Sequence, residues 1–291
     1  MAEHRAVERS HDSEAQPSVG LSASSAWEAT TAERHRNELS AYLSEAASLS
    51  PIQEAASRAL ELLRIGPGDR VLDIGCGTGV SLPNLARAVA PTGVVVGVDH
   101  ASALLEEAKE HVERAGVGGL VSIDIGDAHD LPYADGSFHA AHISRVLIHL
   151  TDPDRALREA RRVVRPGGWI VAIEPDFEAT RIDHVDPEAV RLIVAGHSAT
   201  IRNPAMGLEL FRRLGDAGFV DRTISRVTEL ETVYDPDSTP YYRRAADYAV
   251  AAGWLERRRA DAAVDYLIDA GMRGRYLSCY SLFVAAGRVP N

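Results

Sequence analysis

The chain has 291 residues, 45% hydrophobic and 25% charged, which allows one large α/β domain with insertions or two small domains. Its formal net charge of −11 repels phosphate backbones, so nucleic acid is not an expected partner. Only Cys76 and Cys279 carry thiols, which leaves no disulfide framework and no cysteine-rich metal site, and no apolar run reaches the roughly 18 residues of a membrane span. The composition therefore reads as that of a cytoplasmic protein with no metal and no membrane partner.

Residues 1–25, rich in Ser, Ala, Glu and Arg and lacking the apolar core of a secretory signal, are expected to form a disordered tail. Residues 26–66 form an N-terminal cap of helices. The first, over 27–48, carries Trp27, Leu39, Tyr42 and Leu43. Pro51 opens the second, where Ile52, Ala55, Ala59, Leu62 and Leu63 make an apolar stripe that ends at Gly66-Pro67-Gly68.

Residues 67–176 then alternate. Strands are expected over 70–74, 94–98, 120–125, 138–143 and 169–173, with helices over 82–89, 103–115 and 154–164. Arg165-Pro166-Gly167-Gly168 reads as a turn before the last of these strands. Short loops between alternating elements predict a doubly wound, mostly parallel sheet covered on both faces. Residues 177–291 hold the rest of the sheet with helical insertions at about 177–217 and 230–275. Helices are expected over 187–199 and 205–217, strands near 220–227 and 277–285, and two helices within 239–271. Insertions of this kind cover the ligand crevice at the carboxyl ends of the strands, as a lid.

The most informative segment is Val71-Leu72-Asp73-Ile74-Gly75-Cys76-Gly77-Thr78-Gly79. An apolar strand runs into three alternate glycines and then a helix, so the backbone can turn tightly and approach a ligand where a Cβ would collide. A dinucleotide fingerprint would place its third glycine one position later, where Val80 stands. Asp73 at the strand end would repel a pyrophosphate and attract a cationic amine. The strand ending in Val98-Asp99 puts a carboxylate 20 positions after Gly79, a placement suited to two ribose hydroxyls, although many strands end in Asp as a turn residue. Leu104 would then wall the adenine. Asp127, in Gly126-Asp127-Ala128-His129-Asp130-Leu131-Pro132, can accept from an exocyclic adenine amine or close an Asx turn, and the Ala128 N–H faces a ring nitrogen in the first case.

These segments, with Arg145-Val146-Leu147-Ile148-His149-Leu150 and Val164-Arg165-Pro166-Gly167-Gly168, resemble class I S-adenosylmethionine-dependent methyltransferases, the family that includes the menaquinone- and ubiquinone-pathway C-methyltransferases and many bacterial natural-product enzymes. The resemblance is close over about residues 60–176 and looser beyond, through Glu174-Pro175-Asp176, Ile201-Arg202-Asn203 and the ending 282–288. It implies a Rossmann-like seven-stranded sheet whose last strand runs antiparallel. It implies S-adenosyl-L-methionine as cofactor, S-adenosyl-L-homocysteine as product, and contacts at Asp73, Gly75, Gly77, Asp99, Leu104, Asp127, Ala128 and Ser144. Cys76, Thr78, Gly79, His100 and Arg145 belong to the same expected cofactor site.

For chemistry, His149 is the candidate general base, since it follows the fourth strand where the resemblance places the acceptor; its alternative is a packing role. His139 and His142 read as structural. Trp27, Tyr42, His197, Glu174, Asn203 and Tyr242 are the candidate substrate residues, and Tyr241 and Trp254 add aromatic surface for a flat or terpenoid-like acceptor, unless they are core. The run Arg257-Arg258-Arg259 beside Glu256, Asp261 and Asp265 reads as a solvated helix face. The leading expectation is in-line methyl transfer to oxygen, carbon or nitrogen of a small molecule of bacterial secondary metabolism. A quinone-pathway C-methyltransferase, a non-methylating cyclase that keeps the same cofactor, and a non-catalytic partner subunit remain as alternatives. A homodimer formed by exchange of the N-terminal helix is one assembly left open.

Overall fold

The computed structural model describes residues 50–291. The expected tail, the helix over 27–48, and with them Trp27 and Tyr42, lie outside the described residues. The first described helix is α1 (Ser50–Leu63). Ala55, Ala59 and Leu63 fall on one stripe of it and are buried, and the two alanines let the helix approach the sheet closely.

The core then alternates as the pattern dictates. β1 (Arg70–Ile74) leads to α2 (Leu82–Val89), β2 (Val94–Asp99) to α3 (Ser102–Arg114), and β3 (Val121–Ile125) to β4 (Phe138–Ser144). α4 (Pro153–Val163) precedes β5 (Val164–Ile182). α5 (Pro187–Ser198), α6 (Met206–Asp216), β6 (Val220–Glu231), α7 (Thr239–Ala251), α8 (Arg257–Met272) and β7 (Ser278–Arg288) complete it. Two helix starts show why the chain breaks where it does. Asp152 and Asp186 each precede a proline, and their carboxylates accept from the backbone N–H of Arg155 and Ala189 at the open helix ends.

The seven strands are ordered β3-β2-β1-β4-β5-β7-β6. β1 to β5 pair in parallel, and β7 lies antiparallel between β5 and β6. Strand alternation splits the apolar residues into two layers. Leu72, Ile74, Ile143 and Ala172 pack under α4 and α6, whereas Val71, Val95, Val171 and Ile173 pack under α1, α2 and α3. The order reverses between β1 and β4, so a crevice opens over the carboxyl ends of those two strands.

β5 differs from the expected short strand. It starts at Val164, directly after α4, and the pairing jumps from Phe138–Val164 to Ala140–Trp169, so Arg165–Gly168 bulges out within the strand. Gly167, at φ 77°, supplies the bend. At its other end β5 runs on to Ile182 and, with β7 and β6, reaches past the parallel strands. α5, α7 and α8 gather there around their own core of Ile193, Tyr242, Ala249, Val264, Leu267 and Tyr276. In that core the Tyr242 and Tyr276 hydroxyls are 2.7 Å apart. Tyr242 is thus packed in the core of the insertion, and Trp254 lies 44% exposed against Tyr248.

Of the basic run, Arg257 pairs with Asp247 and Asp261, and Arg259 with Asp186 and Glu188, so its charge is largely met by carboxylates. Among the described residues no helix is long and apolar enough to cross a membrane, and no cluster of His, Cys, Asp and Glu has a metal-holding arrangement.

Candidate cofactor and acceptor site

The three glycines after β1 are each in a left-handed backbone conformation: Gly75 at φ 71°, Gly77 at 53° and Gly79 at 77°. Two are also fixed by space. A Cβ on Gly75 would lie 2.4 Å from Cγ2 of Val146, and one on Gly79 would lie 3.0 Å from Cβ of Ala108. The loop is thus wedged between the segment after β4 and helix α3. Thr78 is buried here, and its Oγ1 has no hydrogen-bond partner. Cys76 lies in the same loop with its thiol pushed well above the ordinary value by burial and then by the carboxylates of Asp73 and Asp99, which favours the neutral thiol.

Asp99 closes the loop from the side of β2. Its two carboxylate oxygens accept from the backbone N–H of Gly77 and of Ala101, both at 2.9 Å, and His100 Nδ1 lies 3.3 Å from Oδ1. Each oxygen retains a lone pair, so the same carboxylate can hold the loop and still receive two hydroxyls. Leu104, at the head of α3, is almost wholly buried. Asp127 makes the Asx turn, accepting from the His129 N–H at 2.9 Å, with the His129 ring 2.7 Å away. Burial would raise its pKa, but the His129 contacts outweigh it and hold the carboxyl below its usual value. The turn leaves the Asp127 side chain 61% exposed, and Ala128 packs against the core below.

Asp73 has a partner that the sequence did not announce. β1 and β4 pair in parallel with Asp73 opposite His142, and His142 Nδ1 lies 2.7 Å from Asp73 Oδ1 with both side chains buried. His142 is structural, as expected, but at this particular place, directly beneath the glycine loop.

The segment after β4 is clamped from several directions. Arg145 N–H donates to the Ile173 carbonyl, and Oε1 of Glu174 accepts from the N–H groups of Val146 (2.9 Å) and Leu147 (2.7 Å). Asn203 Nδ2 donates to the carbonyls of Leu147 and Leu150, and Arg202 donates to that of His149. Glu174 and Asn203 were expected to face substrate; their visible bonds instead anchor this segment, since a buried backbone turn must find partners for its polar groups. Arg145 itself is at φ 58°, a strained conformation for a residue with a side chain, and its Nε is buried without a hydrogen-bond partner. Ser144, half-buried, ends β4 beside it.

Burial sets the protonation of the remaining groups. Glu174 is fully buried, its Oε2 has no partner, and burial lifts its pKa to about 8 against the pull of the backbone N–H groups and Arg145. Burial, then the cations Arg145 and Arg202, push the His149 imidazole down to about 3. The titration near neutrality expected of a general base is therefore not what this environment gives, because the charged ring would be both desolvated and repelled. His197 is likewise pushed by burial to about 4, and its ring lies against Phe177 and Tyr241 with centroids 5.2 and 4.4 Å apart. These rings form an aromatic group between β5, α5 and α7.

Residues 72–172 match the family model described as a methyltransferase domain. Over 249 residues the chain is 35% identical to an uncharacterised 37.1 kDa protein in transposon TN4556 of Streptomyces fradiae, a match that covers 85% of this chain and 70% of that protein. It is 39% identical over 131 residues to the methyltransferase GfsG of Streptomyces halstedii, across 44% of this chain and 46% of that one, so it spans less than half of this named relative's length. Among solved structures, the YcgJ protein of Bacillus subtilis shares the fold at a TM-score of 0.57 and 18% identity, over 82% of this chain and 99% of that chain. With its glycine loop, its β2 carboxylate and its sheet order, the chain belongs to the S-adenosylmethionine-dependent methyltransferase family.

Proposed function

We propose that this chain transfers the sulfonium methyl of S-adenosylmethionine to a small organic acceptor of bacterial secondary metabolism, with the acceptor over the carboxyl ends of β4 and β5. The observation that carries the reading is the convergence on one crevice of three left-handed glycines, the Asp99 carboxylate and the unpartnered Thr78 hydroxyl. The residues fit the cofactor. Gly75, Gly77 and Gly79 give the backbone room, Asp99 keeps free lone pairs for the ribose, Thr78 offers a hydroxyl to the amino-acid end, and Asp127 is exposed where an adenine amine would arrive.

Bound S-adenosylmethionine supplies a methyl on a positive sulfur, already a strong electrophile. The S–CH₃ bond breaks as the acceptor bond forms, and any acceptor proton leaves to solvent. The protein's work is then alignment and exclusion of water, and alignment alone can supply roughly 7–11 kcal/mol in well-oriented systems. The clamp on residues 145–150 keeps that wall in one geometry. His149, held neutral, is a poor proton acceptor, so the reading gives it a shaping role and asks the acceptor to arrive as a competent nucleophile. The net charge of −11 and the paired Arg257 and Arg259 favour a small molecule over nucleic acid.

Calorimetry with S-adenosylhomocysteine tests the cofactor half. The wild type binds, and Asp99→Ala binds roughly ten- to hundredfold more weakly through loss of charged hydrogen bonds. A folded wild type that does not bind ends the proposal. Incubation with methyl-labelled S-adenosylmethionine and candidate acceptors tests the rest: a product formed without label would mean a cyclase-like role for the cofactor.

A further inference from the structure

We infer that Arg145 is the anchor for a carboxylate on the acceptor, so that the substrates of this methyltransferase are small organic acids. The inference rests on the methyltransferase reading above and names the substrate class for the same site.

Four observations converge on it. The first is place. Arg145 is the residue immediately after β4, at the strand-order reversal where ligands bind, and its neighbour Val146 lies against the position a Gly75 Cβ would occupy. The second is backbone cost. Arg145 adopts φ 58°, a conformation that glycine or asparagine takes more readily, and it is held there by its N–H bond to Ile173 and by the Glu174 bonds to the next two residues. A long cationic side chain at such a position points to a use for the side chain.

The third observation is the unmet guanidinium. Nε of Arg145 is buried without a hydrogen-bond partner, and among the described residues Arg145 makes no ion pair.

 By contrast, Arg162, Arg213 and Arg259 each pair with a carboxylate. Nε together with a terminal nitrogen forms the guanidinium edge that matches the two oxygens of a carboxylate.

The fourth is Glu174, on the neighbouring strand β5, whose Oε1 holds the two residues after Arg145. It is fully buried, and its Oε2 is unpartnered. Burial keeps it largely protonated near neutral pH, so it neither cancels the Arg145 charge nor repels an incoming anion. Arg202, which donates to the His149 carbonyl, adds a second cation acting with Arg145 on the His149 ring.

The test uses the full chain saturated with S-adenosylhomocysteine and three aromatic probes: cinnamate, cinnamamide and phenyl phosphate, followed by calorimetry and ligand-observed NMR. The acid is expected to bind roughly ten- to hundredfold more tightly than its amide. Arg145→Asn, which suits the left-handed backbone, loses that advantage, and Arg145→Lys keeps part of it, each read as the acid-to-amide ratio at saturating S-adenosylhomocysteine. Equal binding of acid and amide, no binding of either, preference for the phosphate, or an advantage that survives in Arg145→Asn overturns the inference. So does a large loss of S-adenosylhomocysteine affinity in both variants, which would return Arg145 to the cofactor. Failure of the wild type to bind S-adenosylhomocysteine would instead strike the methyltransferase reading.

Discussion

Replacing Glu174 by Gln isolates the energetics of one buried carboxyl. In the folded chain Glu174 Oε1 accepts two backbone N–H groups, Oε2 has no partner, and burial raises the pKa from 4.5 to about 8. Between those two values the folded protein keeps a proton that the unfolded chain has released. The contribution is therefore fully present below pH 4.5 and is lost as pH rises toward about 8, at about 1.4 kcal/mol per pH unit, with a ceiling of about 5 kcal/mol. Gln mimics the protonated acid, since its carbonyl can accept from Val146 and Leu147, and it has no proton to lose. The expected result is that Glu174→Gln gains on the wild type steadily from about pH 5 to about pH 8 and then runs parallel to it. Urea unfolding across that range measures this, and subtraction removes the titration of groups common to both proteins. Two curves with a constant offset would mean that Glu174 is ionised in the fold, and the reasoning about Arg145 would lose one of its supports.

Gly75→Ala adds a Cβ at 2.4 Å from Val146 and strains a backbone at φ 71°, so the fold should lose about 1–3 kcal/mol and cofactor affinity with it. Val146→Ala in the same chain relieves the contact but not the dihedral, and should recover part of the loss; thermal unfolding with and without S-adenosylhomocysteine reads both, and a wild-type-like single variant would refute the wedge. His149 should stay neutral throughout the physiological range, with a midpoint near 3, when followed by ring-nitrogen NMR. Because its pKa is depressed, the stability it contributes is present above about 6.5 and is lost as pH falls toward 3. A midpoint near 6.5 would restore it as a candidate base.

The sequence carried the elements well where local pattern decides. The strand over 70–74 and the helix over 82–89 have the bounds read from periodicity, and the glycine spacing marked the three left-handed positions. It misled where breakers serve inside a strand: Pro166, Gly167 and Gly168 look like a stop, yet they form a bulge that the pairing with β4 carries through. The contacts that define the site's chemistry lie far apart in the chain. Asp73 meets His142 only through parallel register, and Asn203 reaches back across more than fifty positions to Leu147 and Leu150. No local spacing encodes such pairs. The left-handed Arg145 was equally hidden, because residue type argues against that conformation.

The tyrosine-rich cluster of α5, α7 and α8 packs chiefly on itself and joins the sheet through the prolonged end of β5. A cap built on stalks in this way can be remodelled without disturbing the nucleoside half of the crevice. Descendants of one scaffold can thus diversify their guests by redrawing the canopy while the methyl donor's berth stays as it was.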